Sequence, residues 1–128
     1  MSLGPLVLRA SALAFGAIGA AWLFAPARLA PWVGIELGSP TALTDARAVF
    51  GGLECGIAVL LWWCARDAAR VDFGLWLALA GFGGLAAGRA IGFALDGPSD
   101  AFGNALFAAE LAGLAATAFA RGRLRRAA

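Results

Sequence analysis

Four ionisable side chains, Arg47, Glu54, Arg89 and Glu110, lie inside long apolar stretches of this 128-residue chain. A charge near the middle of a membrane helix costs at least ~3 kcal/mol, so such residues persist where they pair or face a protected interior. Two carboxyls and two guanidinium groups can form a balanced ion-pair cluster. They can also hold a polar ligand or move a proton. Glu54 and Glu110 are the candidate catalytic acids or bases, because burial raises one carboxyl's proton affinity while a neighbouring arginine keeps another ionised. Asp96 follows Arg89 by two helical turns, as Glu54 follows Arg47, so each pair is expected on one helix face. The site expected from sequence is therefore Arg47, Glu54, Arg89, Asp96 and Glu110, with Arg89 placed to bridge carboxylates from other helices.

The composition dictates what must position these residues. Hydrophobic residues make up 62% of the chain and charged residues 14%, against roughly 25% charged in a soluble domain. Mean hydropathy is +0.82. So short a water-soluble chain could not hide this much apolar surface. The length fits one domain. Four segments approach the roughly 20 apolar residues that span a bilayer, at about 5–25, 46–64, 71–95 and 101–120. Helices are expected, since isolated open strands leave backbone groups unpaired in lipid. The fold class is all-α, a four-transmembrane-helix antiparallel bundle in one integral membrane domain. A long loop is expected from about Pro26 to Thr44. Ser39-Pro40 is a helix-start signal that leads toward the second span, and Asp96-Gly97-Pro98-Ser99 is a turn with an N-cap at Ser99 or Asp100.

The first segment has a competing reading as a signal peptide, through Ala25-Pro26-Ala27. Proline between the small residues and the weak positive flank favour a retained span. Arg66 and Arg70 follow span two, and Arg121, Arg123, Arg125 and Arg126 follow span four. The positive-inside rule then puts both termini in the cytoplasm. The RGRLRR tail can touch anionic lipid or act only as a stop-transfer signal. Trp22 and Trp32 fall at the outer interface, and Trp62, Trp63 and Trp76 at the inner one. With that topology Glu54, Arg89 and Glu110 lie roughly 12, 10 and 13 Å below the outer ends of their spans, at 1.5 Å per residue. These three are expected to share a layer, with Arg47 above them.

Small residues recur at four-residue spacing: Gly84, Gly88 and Gly92, then Gly52 and Gly56, then Ala109 and Gly113. Such stripes let helix backbones approach closely. The Gly52/Gly56 stripe lies opposite Glu54 on an ideal wheel, so span two is expected to pack on two faces.

Several chemistries lack their residues. The chain has no His and no Tyr, so haem and imidazole-metal sites lose their usual ligands. Cys55 and Cys64 point to opposite sides of one helix and form no C-x-x-C motif. No phosphate loop is present. No metal and no cofactor are expected. The scattered net charge of +2 argues against nucleic acid. Expected partners are membrane lipid, a membrane protein or a second copy of the chain, and a hydrophobic small molecule.

DARAVFGGLECG (45–56), GRAIGFALDGPSD (88–100) and Glu110 together resemble a pattern in small bacterial four-helix membrane proteins. That family is catalogued as a domain of unknown function and is distantly similar to DoxX-like proteins. The resemblance covers about Asp45 to Arg121, and its G-R-x-x-G-x-x-x-D-G string is its most specific part. Phe50 stands where Tyr is common. The resemblance implies a four-helix bundle in the bacterial cytoplasmic membrane and carries over no catalytic residue. Some DoxX-like proteins are subunits of membrane redox systems, but this chain shows no redox group. The functions expected are an accessory subunit or a binder of a hydrophobic ligand. The alternative is an intramembrane enzyme acting on a lipid, quinone or isoprenoid. Proton-coupled transport is a third reading, against which the inner half offers little polarity.

Overall fold

The computed structural model describes residues 2–127. Helix α1 is Leu3–Phe24, and α2 (Pro26–Leu29) leads into a 3-10 turn at Ala30–Val33. Helix α3 (Pro40–Ala46), a π-helical stretch (Arg47–Gly52) and α4 (Leu53–Cys64) follow one another without a break. Helix α5 is Val71–Asp96 and α6 is Ala101–Ala127. Among the described residues there is no strand. Four helical stretches are long and apolar enough to cross a membrane: Leu3–Phe24, Pro40–Cys64, Ala68–Asp96 and Ala101–Arg126. The protein is an all-α four-helix bundle and an integral membrane protein, as composition led us to expect.

Local chemistry places the helix ends. Pro26 follows Ala25, which leaves the helical region (φ −135°, ψ 48°), as a residue before proline tends to do. Gly34 closes the 3-10 turn at φ +68°, where a side chain would be strained. The Ser39 hydroxyl accepts the Ala42 N–H at 3.1 Å, and Pro40 takes the first helical position. That cap starts the second crossing helix six residues before the expected boundary. Much of the expected Pro26–Thr44 loop is thus helical, and its non-helical part shrinks to the stretch around Gly34–Ser39. Gly97 (φ +98°) ends α5. Asp100 Oδ1 then accepts the Gly103 N–H at 2.8 Å, which makes Asp100 the cap of α6.

Helix α1 packs antiparallel on α4 through close backbone contact. A Cβ on Gly19 would stand 2.8 Å from the Cys55 nitrogen and 2.9 Å from the Gly51 carbonyl oxygen. One on Gly51 would stand 2.8 Å from the Leu23 nitrogen. Helices α5 and α6 pair antiparallel as well. Phe82 fills the space over Gly113, Gly83 faces Leu114, and Phe93 meets Phe107 with ring centroids 5.3 Å apart. The fully buried residues Leu8, Leu61, Cys64 and Leu75 belong to one cluster, which lies toward the end of the bundle that carries both termini.

The small-residue stripes behave differently from expectation. Gly56, Gly84 and Gly88 would meet nothing within 4 Å, and Gly52 meets only a carbonyl of its own rod. Among the glycines of those stripes Gly113 alone is closely approached, by Phe82, and the other approaches under 3.0 Å from another helix fall on Gly4, Gly19, Gly51 and Gly74. Spacing says that small residues share a face; it does not say which face a neighbouring helix takes.

This contrast predicts opposite outcomes for two substitutions. Gly51→Ala should destabilise the protein by about 1–3 kcal/mol, the usual cost of overpacking. Gly84→Ala should be neutral or stabilising by up to about 1 kcal/mol, since alanine is the better helix former. Thermal unfolding of both variants in the same mild detergent checks this, and equal melting temperatures would refute it.

Candidate functional site

Arg89 and Glu110 form the centre of the polar layer. The Arg89 Nε donates to both carboxylate oxygens of Glu110, at 3.2 and 3.0 Å, and Nη2 donates to Oε1 at 2.7 Å. Glu110 is 7% exposed. A fork-to-fork pair of this kind is the strongest geometry available to arginine. In a dry interior each charge also removes the other's desolvation problem. Arg89 reaches Glu110 because α5 and α6 run antiparallel in one register, the register that sets Phe82 against Gly113.

Glu54 stands outside this pair. It is half-buried in the first turn of α4. Its Oε2 is buried and has no hydrogen-bond partner. Among the described residues Glu54 takes part in no ion pair. Arg47 is also separate. Its Nη1 donates to the Leu23 carbonyl oxygen, one of the last carbonyls of α1, which lack intrahelical partners. There the guanidinium acts as a cationic cap on a negative helix end. The π-helical stretch between Arg47 and Glu54 inserts an extra residue per turn. It therefore breaks the 100° phase that placed both on one face in the sequence. Asp96 is exposed at the end of α5 and joins no ion pair among the described residues.

A second ion pair escaped the sequence reading. Arg121 Nε lies 2.9 Å from Asp72 Oδ1, and the Arg121 guanidinium stacks 4.1 Å above the Trp76 ring. Arg121 is 9% exposed. The sequence signal for it is a pair of opposite charges near matching ends of two successive antiparallel spans, a signal that the topological role of Arg121 masks. The α5–α6 seam thus carries an acid-to-base pair at one level and a base-to-acid pair at the other. Asp72 and Arg89 are separated by about 25 Å along α5 at 1.5 Å per residue. Sliding one helix by a turn would break both pairs at once.

Two surface hollows lie elsewhere. One of about 280 Å³ sits between the start of α1, the α4–α5 turn and Leu124, and one of about 560 Å³ lies in the Ala27–Gly38 segment. Neither is lined by Glu54 or by the Arg89–Glu110 pair. Among the described residues, no three His, Cys, Asp or Glu side chains converge as a metal site would require. Both cysteines are free thiols. The Cys55 sulfur packs at Gly19 and the Cys64 Cβ at Gly74.

The pair geometry predicts strong non-additivity. Arg89→Leu leaves Glu110 buried and unpaired, and should cost about 3–5 kcal/mol. Adding Glu110→Leu should recover most of that loss. Arg121→Leu should cost less, because the Asp72 side chain is 49% exposed and water can solvate it. Unfolding in mild detergent measures all three. A double variant no more stable than Arg89→Leu alone would overturn the assignment of the pair as a mutual neutraliser.

No curated protein and no solved structure matches the chain significantly. A family model described as "Domain of unknown function (DUF4345)" matches residues 5–120. That span holds the four crossing helices, the Arg89–Glu110 pair and Glu54, and the chain belongs to this DUF4345 family.

Proposed function

We propose that this protein is a non-catalytic membrane module that binds a hydrophobic molecule with a hydrogen-bond-donating head, and that Glu54 is its polar contact. The observation that carries this reading is the buried Glu54 Oε2 without a partner, beside an Arg89 already committed to Glu110. A buried unsatisfied acceptor costs about 1–3 kcal/mol, so a ligand donor at Glu54 would remove a standing penalty. Glu54 lines neither of the two hollows described above, and in this reading the ligand approaches laterally from the bilayer. An accessory-subunit role places a partner helix at the same carboxyl. The unpacked faces of Gly84 and Gly88 and the resemblance to DoxX-like proteins agree with that version.

The enzymatic reading narrows to one residue. Glu110 is held by three hydrogen bonds from Arg89, which leaves Glu54 as the carboxyl able to exchange a proton with a lipid, quinone or isoprenoid. Acid–base catalysis by a single carboxyl still needs a second group to stabilise developing charge, and the buried Glu54 Oε2 has no hydrogen-bond partner to serve as one.

In this reading the chain resides in the bacterial cytoplasmic membrane with both termini cytoplasmic. The arginine-rich face carries Arg66, Arg70 and the arginines from Arg121 onward, while Arg28 lies on the opposite side with Glu36, Asp45, Asp96 and Asp100. That asymmetry follows the positive-inside rule. A reporter inserted at Asp100 should be reachable from outside the cell. Access from the cytoplasm alone would reverse the orientation.

Mass spectrometry after gentle purification tests the function. Wild type should retain a specific amphipathic molecule that Glu54→Gln loses while its melting temperature holds. A membrane protein retained by wild type and lost by Glu54→Gln would select the accessory role. If Glu54→Gln changes neither ligand nor partner, the reading fails.

A further inference from the structure

The hollow at the face carrying the termini gathers residues that no reading of the membrane interior uses. Pro5 and Arg9 of α1, Arg66 and Asp67 of the α4–α5 turn, Val71 of α5 and Leu124 of α6 all line it. Its volume, about 280 Å³, lies just under the roughly 300 Å³ lower bound of pockets for drug-sized molecules. It suits a headgroup and not a whole lipid. Val71 is buried in the main apolar cluster, and Leu124 packs against it, so the floor is apolar while the rim is charged.

The charges on that rim are unequal. Asp67, the acid in the hollow, is already engaged. Its Oδ1 accepts the Ala69 N–H at 3.0 Å and its Oδ2 lies 3.1 Å from Arg70. Arg70 in turn stacks 3.7 Å above Trp63. The Arg66 side chain has no hydrogen bond or ion pair with any described residue. This face holds seven of the ten arginines: Arg9, Arg66, Arg70 and the four from Arg121 onward. Its two acids, Asp67 and Asp72, are both paired. Trp62, Trp63 and Trp76, near the ends of α4 and α5 that meet at their connecting turn, are exposed, and exposed tryptophans of membrane proteins mark the level of the lipid headgroups.

We propose that this hollow binds the phosphate headgroup of an anionic phospholipid, with Arg66 and Arg9 as its charged ligands and Val71 and Leu124 as its apolar floor. Topological sorting requires arginines near span ends and nothing more. It does not require a concavity shared by four segments with a partner-free guanidinium on its rim. Arginine presents a planar fork of donors that matches phosphate oxygens. The acyl chains would leave past Pro5 into the surrounding hydrocarbon, which keeps the lipid in register with the leaflet.

The test uses the full-length protein in nanodiscs of mixed phosphatidylglycerol and phosphatidylcholine, followed by native mass spectrometry of the retained lipids. Wild type should hold phosphatidylglycerol in clear preference. Arg66→Gln should weaken that retention about fivefold and Arg9→Gln/Arg66→Gln about thirtyfold, at ~1 kcal/mol per arginine near an anionic surface. Arg66→Lys should keep most of it. Neutralising Arg123, Arg125 and Arg126 together should leave the retained lipid in place. Equal retention of both lipids by wild type would overturn the proposal without reference to any variant. So would a loss caused only by the tail substitutions, which would mean diffuse attraction. Displacement of phosphatidylglycerol by millimolar inorganic phosphate would assign the site to a soluble anion and overturn the lipid. Melting temperatures of the variants separate a lost site from a lost fold.

Discussion

Lipid tails are as apolar as leucine, so burying leucine between helices gains little in a membrane. Helices there associate through close packing and polar contacts, and both devices appear here on different helix pairs. Helices α1 and α4 use the first: Gly19 and Gly51 bring the two backbones so close that neither position has room for a methyl group. Helices α5 and α6 use the second: two ion pairs of opposite sense bracket a seam of aromatic and small residues. Phe15 helps to join these two pairs, meeting Phe82 with ring centroids 5.1 Å apart and lying against Gly81, as do Leu8 and Cys64 at Gly74.

The two ends of the bundle differ in what fills them. Toward the termini, Leu8, Leu61, Cys64, Leu75 and Ala120 form a closed apolar cluster. Toward the other end, buried apolar residues thin to alanines such as Ala46 and Ala86. A region with few buried apolar contacts opens at lower free energy than the rest. The half that contains Glu54 is therefore the half best able to admit a molecule from the bilayer. The π-helical stretch beside it adds to this, because such bulges weaken regular hydrogen bonding and concentrate at functional sites.

The intramembrane charges divide by role once their partners are known. Arg89 and Glu110 satisfy one another, and Arg47 satisfies the end of α1. Both uses are architectural. Glu54 keeps an oxygen out of water without a donor, a cost that the fold does not offset within the chain. Four residues with one sequence-level signature thus separate into two latching groups and one candidate contact. At the termini the same logic sets Arg66 apart from Arg70 and Arg121, which are committed to acids and to tryptophan rings.

Some of this was legible in the residues alone. Apolar runs of membrane-crossing length specify four helices, because backbone groups in lipid must be satisfied within the segment. Ser39-Pro40 and Asp100 specify helix starts through local hydrogen bonds. That Arg89 and Glu110 share a level follows from depth, since successive spans of known length place charges at calculable levels. Depth gave Glu54 the same level, however, and the structure alone chose Glu110 as the partner. The tertiary structure decided the rest. It selected Gly51 over Gly52 as a site of close approach and left Gly84 and Gly88 unpacked, while Gly113 of the expected stripes took up its contact. It separated Arg47 from Glu54 through a π turn, and it joined Asp72 to Arg121. The physical reason is common to all of these. Helical period fixes which residues of one helix share a face, but the rotation of each helix about its axis is fixed only by contacts with its neighbours.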